Sequence, residues 1–304
     1  MSYTRKSGKG NETKKSVYEM VTEKIISELE NGIIPWEKPW SGGFNGAFNR
    51  VSKKQYSLIN QCMLRHNGEY ATFKQWQELG GRIKKGAKSE FVVFWKIYPI
   101  TEKDDKGNET KKNVPILRYY NVFHISDVEG VEPLASSERE ILNPVEEAEN
   151  IISDYLTRSG VRMERVLSDK AYYAPFSDSV TVPKLEQFKE VSEAYSTYFH
   201  ELTHSTGHKN RLDRFPKDIS ENLFGSESYS KEELVAEMGA AMILSYLGIE
   251  SKKSFRNSTA YIQGWLKALK NDVRLITSAS SKAEKAVKLI LNEKEDSKGN
   301  EEDE

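Results

Sequence analysis

Three of the five histidines in the chain fall within nine residues. The run His200-Glu201-Leu202-Thr203-His204 is followed closely by Gly207 and His208. On a helix, positions i and i+4 lie one turn apart on one face, so two imidazoles can point at one metal ion. We therefore expect His200 and His204 to bind Zn²⁺, one ion per chain. Glu201 would act as general base on a bound water. A pair of hydrogen-bonded histidines without a metal is the alternative.

The third ligand has three candidates. His208 lies eight residues after His200, about 12 Å along a continuous helix at ~1.5 Å per residue, which is too far to share an ion. The longer motif H-E-x-x-H-x-x-G-x-x-H would place a histidine where the chain has Asn210. A glutamate from a second helix would complete a His₂Glu site. We expect Glu233 to be that ligand and Glu237 to accept a histidine N–H. The reverse assignment, or an exposed acidic helix face, stays open.

Two amphipathic helices would have to position these groups. Residues 191–206 have apolar side chains at helical spacing up to Gly207, and residues 230–247 open with Ser230, which begins a capping-box pattern. Upstream, residues 171–182 predict strands around a turn. An edge strand there would pair with an extended substrate, and Tyr173 would donate to a developing oxyanion. Aromatic core packing is the alternative for Tyr173.

The first half of the chain mixes aromatic with basic residues. Residues 1–130 carry 22 Lys and Arg against 15 Asp and Glu, whereas the remainder has an excess of acids. Bases of single-stranded DNA stack on aromatic faces while cations follow the phosphates. Our candidate DNA contacts are Trp36, Trp40, Arg50, Lys53, Lys54, Tyr56, Lys84, Lys85 and Lys88. Other aromatic residues would form the core of a small domain, and we expect this of Phe73, Trp76, Phe91, Phe94 and Phe123.

Length and composition favour a two-domain α+β protein. The chain has 304 residues, of which 37% are hydrophobic and 30% charged. It lacks an apolar run of about 18 residues, and we expect neither a membrane partner nor a secretory signal. One cysteine, Cys62, excludes an internal disulfide, so a reducing cytoplasm is the expected compartment.

The predicted elements divide the chain into two domains. An N-terminal α+β domain would contain a helix at 17–29, two short helices, and strands at 91–97 and 116–125 around a charged loop at 103–112. The second domain would contain strands at 162–166 and 171–182 and helices at 145–159, 191–206, 230–247, 261–272 and 281–292. The expected divisions are a disordered basic arm at 1–15, a single-stranded-DNA-binding domain at 16–130, a linker at 131–144, a metallopeptidase domain at 145–292 and a disordered acidic tail at 293–304.

Several motifs follow one another along the chain. The N-terminal ones are Pro35-Trp36-Glu37-Lys38-Pro39-Trp40, Thr72-Phe73-Lys74-Gln75-Trp76, Val92-Val93-Phe94-Trp95 and Tyr120-Asn121-Val122-Phe123. The C-terminal ones are Tyr172-Tyr173-Ala174-Pro175, the run from His200 to His208, and Glu232-Glu233-Leu234-Val235-Ala236-Glu237. In this order the motifs resemble the ArdC antirestriction family, and the resemblance covers roughly residues 16–270.

The resemblance implies a mobile-element protein that shields incoming DNA from restriction. Its N-terminal domain would bind single-stranded DNA, and its C-terminal domain would be a zincin-like metallopeptidase with a protein or peptide substrate. It implies metal at His200 and His204, Glu201 as general base, and a glutamate from the second helix. Two other functions stay open: a zinc peptidase merely localised by DNA, and a DNA-binding module with a structural metal site.

Overall fold

The computed structural model describes residues 15–37, 46–103, 109–134, 143–215, 227–249 and 259–293. Almost all of the predicted basic arm and acidic tail, and most of the predicted linker, lie outside these residues. The described part has a mixed α+β fold, as the sequence predicts, with separate sheets in its N-terminal and C-terminal halves. Within the described residues, no helix is both long enough and apolar enough to cross a membrane.

The N-terminal half is built on a four-stranded sheet with the order β1-β2-β5-β4. Its strands are β1 (Ala47–Asn49), β2 (Gly68–Ala71), β4 (Glu90–Lys103) and β5 (Glu109–His124), and a separate pair joins β3 (Arg82–Ile83) to β6 (Val128–Glu129). Its helices are α1 (Val17–Glu30), α2 (Leu58–Met63) and α3 (Phe73–Glu78). The charged loop predicted at 103–112 is shorter, because both strands continue into it and pair up to Lys103 and Glu109.

The described residues of the C-terminal half form five α-helices and a small sheet of order β7-β9-β8. The strands are β7 (Arg162–Val166), β8 (Tyr172–Ala174) and β9 (Ser179–Pro183). The helices are α4 (Pro144–Ser159), α5 (Val191–Ser205), α6 (Glu227–Leu247), α7 (Thr259–Asn271) and α8 (Leu275–Ile290). β8 lies at an edge of its sheet, antiparallel to β9, which is the arrangement expected of a strand open to a further partner.

Helix starts follow local capping chemistry in some places and not in others. Thr72 caps α3, since its side chain accepts from Gln75 N and the Gln75 side chain accepts from Thr72 N. Ser230 is not a cap: α6 begins at Glu227, so the predicted start is wrong and residues 227–229 are helical rather than loop. The last helix likewise begins at Leu275 and not at 281, because its buried residues start there.

The largest apolar cluster joins the two halves of the chain. Buried residues of α1 and α2, such as Ile25 and Met63, belong to the same cluster as Met238 of α6 and Ile276 of α8. A second cluster lies wholly in the C-terminal half and surrounds α5. Because α6 and α8 both contribute to the two clusters, the N-terminal half is packed through these helices against the helix that carries the histidine motif. The domain boundaries remain predictions.

Candidate metal centre

Helix α5 places the two histidines of the motif side by side. The apolar stripe of this helix, which includes Tyr195, Phe199 and Leu202, is fully buried in the C-terminal core. That burial fixes the rotation of the helix, so that His200 and His204 lie together one turn apart. Their Nε2 atoms are 3.0 Å apart. Two imidazole nitrogens at this separation can share one cation.

Helix α6 brings Glu233 to the same point. Glu233 Oε2 lies 3.5 Å from His200 Nε2, and Oε1 lies 3.3 Å from His204 Nε2. A tetrahedral site with bonds of about 2.0–2.2 Å separates its donor atoms by about 3.3–3.6 Å, so the three side chains fit such an ion with little movement. Among the described residues, this is the group of His, Cys, Asp and Glu side chains that is close enough to hold a metal. His208 and Asn210 are not part of it.

The outer nitrogens of both rings face carboxylates. His200 Nδ1 lies 3.4 Å from Glu237 Oε1, and His204 Nδ1 lies 3.5 Å from Glu232 Oε1. A carboxylate beside Nδ1 favours a proton on that nitrogen. In both rings Nε2 is then the nitrogen that can bind an ion at the point where the two histidines and Glu233 meet, which we call the shared centre. Glu237 therefore lies where the sequence predicts a histidine partner to be. The partner of the second histidine, Glu232, was not predicted.

Glu232 is itself held by a buried arginine that the sequence analysis missed. Arg214 Nε and Nη2 donate to the two carboxylate oxygens of Glu232 at 3.2 and 2.5 Å. The same guanidinium donates to Thr206 Oγ1 and Thr203 O at the end of α5, at 2.6 and 2.9 Å. The only sequence signal for Glu232 was its position one residue before Glu233. Arg214 lies in the loop that follows α5, and no sequence pattern marked it as a functional residue.

The charges of the cluster make it a strong cation site. Burial disfavours charge on His204, but hydrogen bonds with Glu232 and Glu233 outweigh it and raise the pKa of His204 to about 10. Burial would raise the pKa of Glu233, yet the two histidines hold that pKa far below its usual value. The carboxylates are therefore ionised and require positive charge beside them. Without a metal, a protonated histidine supplies that charge.

Glu201 is buried next to the first histidine. Its side chain is almost inaccessible to solvent, and its charge is among those that raise the pKa of His204, after burial and the partners Glu232 and Glu233. A carboxylate beside the shared centre can accept a proton from a water held there. This position suits the general-base role that the motif predicts.

Tyr173 belongs to a polar cluster next to the metal centre. Its hydroxyl donates to Asp178 Oδ1 at 2.7 Å and accepts from Arg211 Nη2 at 3.3 Å. In this arrangement the single phenol proton is used on Asp178, and the oxyanion role of Tyr173 stays a prediction. Arg211 also donates to Ser205 O at 2.8 Å, and His208 Nδ1 lies 4.0 Å from Asp178 Oδ2. The cluster ties the β8–β9 turn to the end of α5.

Two of the predicted DNA contacts are buried, and a third is partly buried in an ion pair. Trp36 is 1% exposed and lies edge-on to Trp265 of α7, with ring centroids 5.2 Å apart. Tyr56 is buried in the core beneath the N-terminal sheet, against Tyr70. Arg50 forms a short ion pair with the buried Glu69. The two buried rings leave no face on which a base could stack, so the predictions for Trp36 and Tyr56 are corrected, whereas that for Arg50 stays a prediction.

The remaining predicted DNA contacts are either exposed or outside the described residues. Trp40 lies outside the described residues, so nothing tests it. The lysines at positions 53, 54, 84, 85 and 88 are exposed, as a phosphate contact requires. The expected core is only partly right: Trp76 is fully buried, whereas Phe73 and Phe94 are exposed. Alternation along a strand does not say which of its faces is covered, and this explains the error at Phe94.

Two family models match the two halves of the chain. Residues 15–123 match the N-terminal domain of the anti-restriction factor ArdC, and residues 146–282 match a zincin-like metallopeptidase. The fold and the site thus define a protein that joins an ArdC N-terminal domain to a zincin-like metallopeptidase domain.

Solved structures show the same arrangement along nearly the whole chain. The metal-free structure of antirestriction ArdC protein from plasmid R388 aligns with a TM-score of 0.69 and 32% identity, covering 90% of this chain and 96% of that one. The Mn(II)-bound structure aligns with a TM-score of 0.70 and 31% identity, covering 91% and 98%. The chain belongs to the ArdC antirestriction family. The Mn(II)-bound relative and the match to a zincin-like domain indicate a divalent-metal site in this chain.

Curated relatives include longer proteins. Two DNA primases TraC from Escherichia coli are 35% and 34% identical to 92% of this chain, which spans only 20% and 27% of their length. Protein y4eC from Sinorhizobium fredii is 31% identical, with 95% of this chain matching 96% of that protein. The two-domain unit therefore occurs both as most of a chain and within a much larger one.

Proposed function

We propose that this chain is a mobile-element antirestriction protein that binds single-stranded DNA and carries a zinc-dependent peptidase site. The observation that supports the hydrolase part is the convergence of His200 Nε2, His204 Nε2 and the Glu233 carboxylate within 3.0–3.5 Å. The DNA-binding part is supported by the match to the N-terminal domain of ArdC and by exposed lysines and aromatic side chains on the N-terminal half.

The donor set suits one Zn²⁺ per chain. Two imidazoles and one carboxylate, with a fourth position left for water, are typical of catalytic zinc sites. Zinc in such a site supplies Lewis-acid chemistry and lowers the pKa of a bound water. Glu201 would take the proton of that water and return it to the leaving amine of a peptide. Glu232 and Glu237 would keep the two imidazoles oriented through their Nδ1 atoms.

Metal content tests the site directly. We expect purified wild-type protein to contain one equivalent of zinc per chain, measured by inductively coupled plasma mass spectrometry. The His204→Ala variant should lose this zinc. His208→Ala is the matched control, because this histidine follows the same helix but lies outside the group of donors, and it should retain the metal. Equal zinc in both variants would refute the assignment of His204.

Glu201→Gln separates chemistry from binding. The variant should keep its metal and its affinity for DNA while losing protection of incoming DNA from restriction, because the amide cannot accept a proton. With a peptide substrate, the rate of hydrolysis by this variant should be about 10²- to 10⁴-fold lower than that of wild type. Unchanged protection would instead favour a DNA-binding module whose metal is structural.

DNA affinity has its own test. Binding of a fluorescent oligonucleotide should weaken as salt rises, since lysines on phosphates release counterions. Equal affinity for duplex and single strand would contradict a stacking interface.

A further inference from the structure

Strands β4 and β5 form a long ribbon with two chemically different faces. They pair antiparallel from Glu90 opposite Val122 to Lys103 opposite Glu109. Side chains that are directly opposite share a face, and successive side chains alternate between faces. All even-numbered residues of both strands therefore lie on one face, which we call the even face, and the odd-numbered ones lie on the other, the odd face. Only the end of β5, at Phe123 and His124, pairs with β2.

The odd face is used for packing. Val93 and Leu117 are buried in the cluster that joins the two halves of the chain. Trp95 lies against Tyr18 of α1, with ring centroids 6.1 Å apart, and Lys24 of the same helix lies over the ring of Phe91 at 5.4 Å. Helix α1 thus covers part of this face.

The even face exposes aromatic rings between cations. Phe94 and Tyr120 are 45% and 39% exposed, and their ring centroids are 6.1 Å apart. Further along the ribbon, the guanidinium of Arg118 lies over the ring of Tyr98 at 5.9 Å. Lys96 lies between Phe94 and Tyr98 on the same face, and Lys112 lies opposite Ile100. The acids of the even face lie only at the two ends of the ribbon, at Glu90, which is buried, and at Glu102, and none lies between them.

The loop after β1 extends this positive surface. The ring of Tyr56, at the end of that loop, is tilted against Phe94 with centroids 6.0 Å apart. Lys53 and Lys54, which are exposed, precede Tyr56 by only two or three residues. The loop therefore carries two exposed cations within three residues of the ring that contacts Phe94.

We propose that the even face is the surface on which this chain holds single-stranded nucleic acid, with Phe94 and Tyr120 as stacking platforms and Arg118 as a phosphate contact. This inference rests on the proposed DNA-binding function and names its location. Rings interleaved with cations, with no acid between them, suit exposed bases on a phosphate backbone, because each base has a face for stacking and each phosphate a negative charge. A duplex hides its base faces and would not use the rings.

Neighbouring residues on the two faces provide matched variants. Tyr120→Leu and Phe94→Leu remove a ring from the even face. Tyr119→Leu and Trp95→Leu remove one from the odd face, where the side chains are 40% and 44% exposed. Binding of the full chain to fluorescein-labelled oligo(dT) would be followed by fluorescence anisotropy, and thermal unfolding would be recorded for each variant.

We expect each even-face variant to bind oligo(dT) about fivefold to a hundredfold more weakly, and the odd-face variants to bind like wild type. Arg118→Gln should lower the slope of log affinity against log salt by about 0.7, whereas Lys111→Gln, on the odd face, should not. Because Arg118 is exposed, this pair stays informative even if a ring variant fails to fold.

The two proposals can fail separately. Wild-type affinity in all even-face variants, or a larger loss in the odd-face variants, would overturn the location while leaving DNA binding in place. Failure of wild-type protein to bind oligo(dT) at all would overturn both.

Discussion

Gly239 of α6 lies directly against Thr203 of α5. A Cβ atom at position 239 would be 2.7 Å from Thr203 Cγ2 and 2.9 Å from Thr203 Oγ1. Thr203 is fully buried, and its hydroxyl donates to Phe199 O at 2.7 Å, so it has little freedom to move. This contact sets the distance between the two helices that carry the histidines and the glutamates. The two histidines and Glu233 can meet because Gly239, between the helices, has no side chain.

Gly239→Ala should therefore weaken both the fold and the site. We expect a loss of about 1–3 kcal/mol in the free energy of unfolding from overpacking, measured by denaturant titration, and weaker metal binding by chelator competition. Thr203→Ala in the same chain should restore part of both, because it removes the atoms that clash. Gly264→Ala on α7 is the control: nothing lies within 4 Å of a Cβ there, and the change should stabilise by roughly 0.4–1 kcal/mol. An unaltered metal affinity in Gly239→Ala would show that helix spacing does not limit the site.

Arg214→Lys should loosen the metal site without removing a ligand. A lysine keeps the charge but cannot hold both oxygens of Glu232 and the end of α5 at once, so His204 would lose its fixed partner. We expect metal affinity to fall about 10- to 100-fold in chelator competition on the folded protein. Arg211→Lys removes a comparable buried guanidinium from the Asp178 cluster, and its metal affinity should stay near that of wild type. If the two variants bind metal alike, Arg214 has no special part in positioning His204.

Trp36→Ala should act through stability and not through DNA contact. The side chain packs against Trp265 in the cluster shared by the two halves, and removing it leaves a large cavity. The free energy of unfolding should fall by about 3–5 kcal/mol in denaturant titration. The milder Trp36→Phe should remain folded and bind oligo(dT) with unchanged affinity. If a stable Trp36→Phe protein bound oligo(dT) more weakly than wild type, Trp36 would have to be part of the DNA interface after all.

The amino-acid sequence by itself determined what depends on neighbours along the chain. The spacing of His200 and His204 on a helix, the Thr72 cap and the pairs of strands follow from local periodicity and hydrogen bonding. Motif order was enough to indicate the ArdC family and the α+β fold. Glu233 and Glu237 were also recognisable as candidates, because acids on an apolar helix require a partner.

Tertiary structure decided which face of each element meets which neighbour. It placed Glu233 at the Nε2 atoms and Glu237 at a Nδ1 atom, brought Arg214 to Glu232, buried Trp36 and exposed Phe94. Periodicity gives every helix and strand two faces of known composition, but contacts between residues distant in sequence determine which face is covered. That choice depends on the packing of α6 and α1 against the rest of the molecule, which no local pattern encodes.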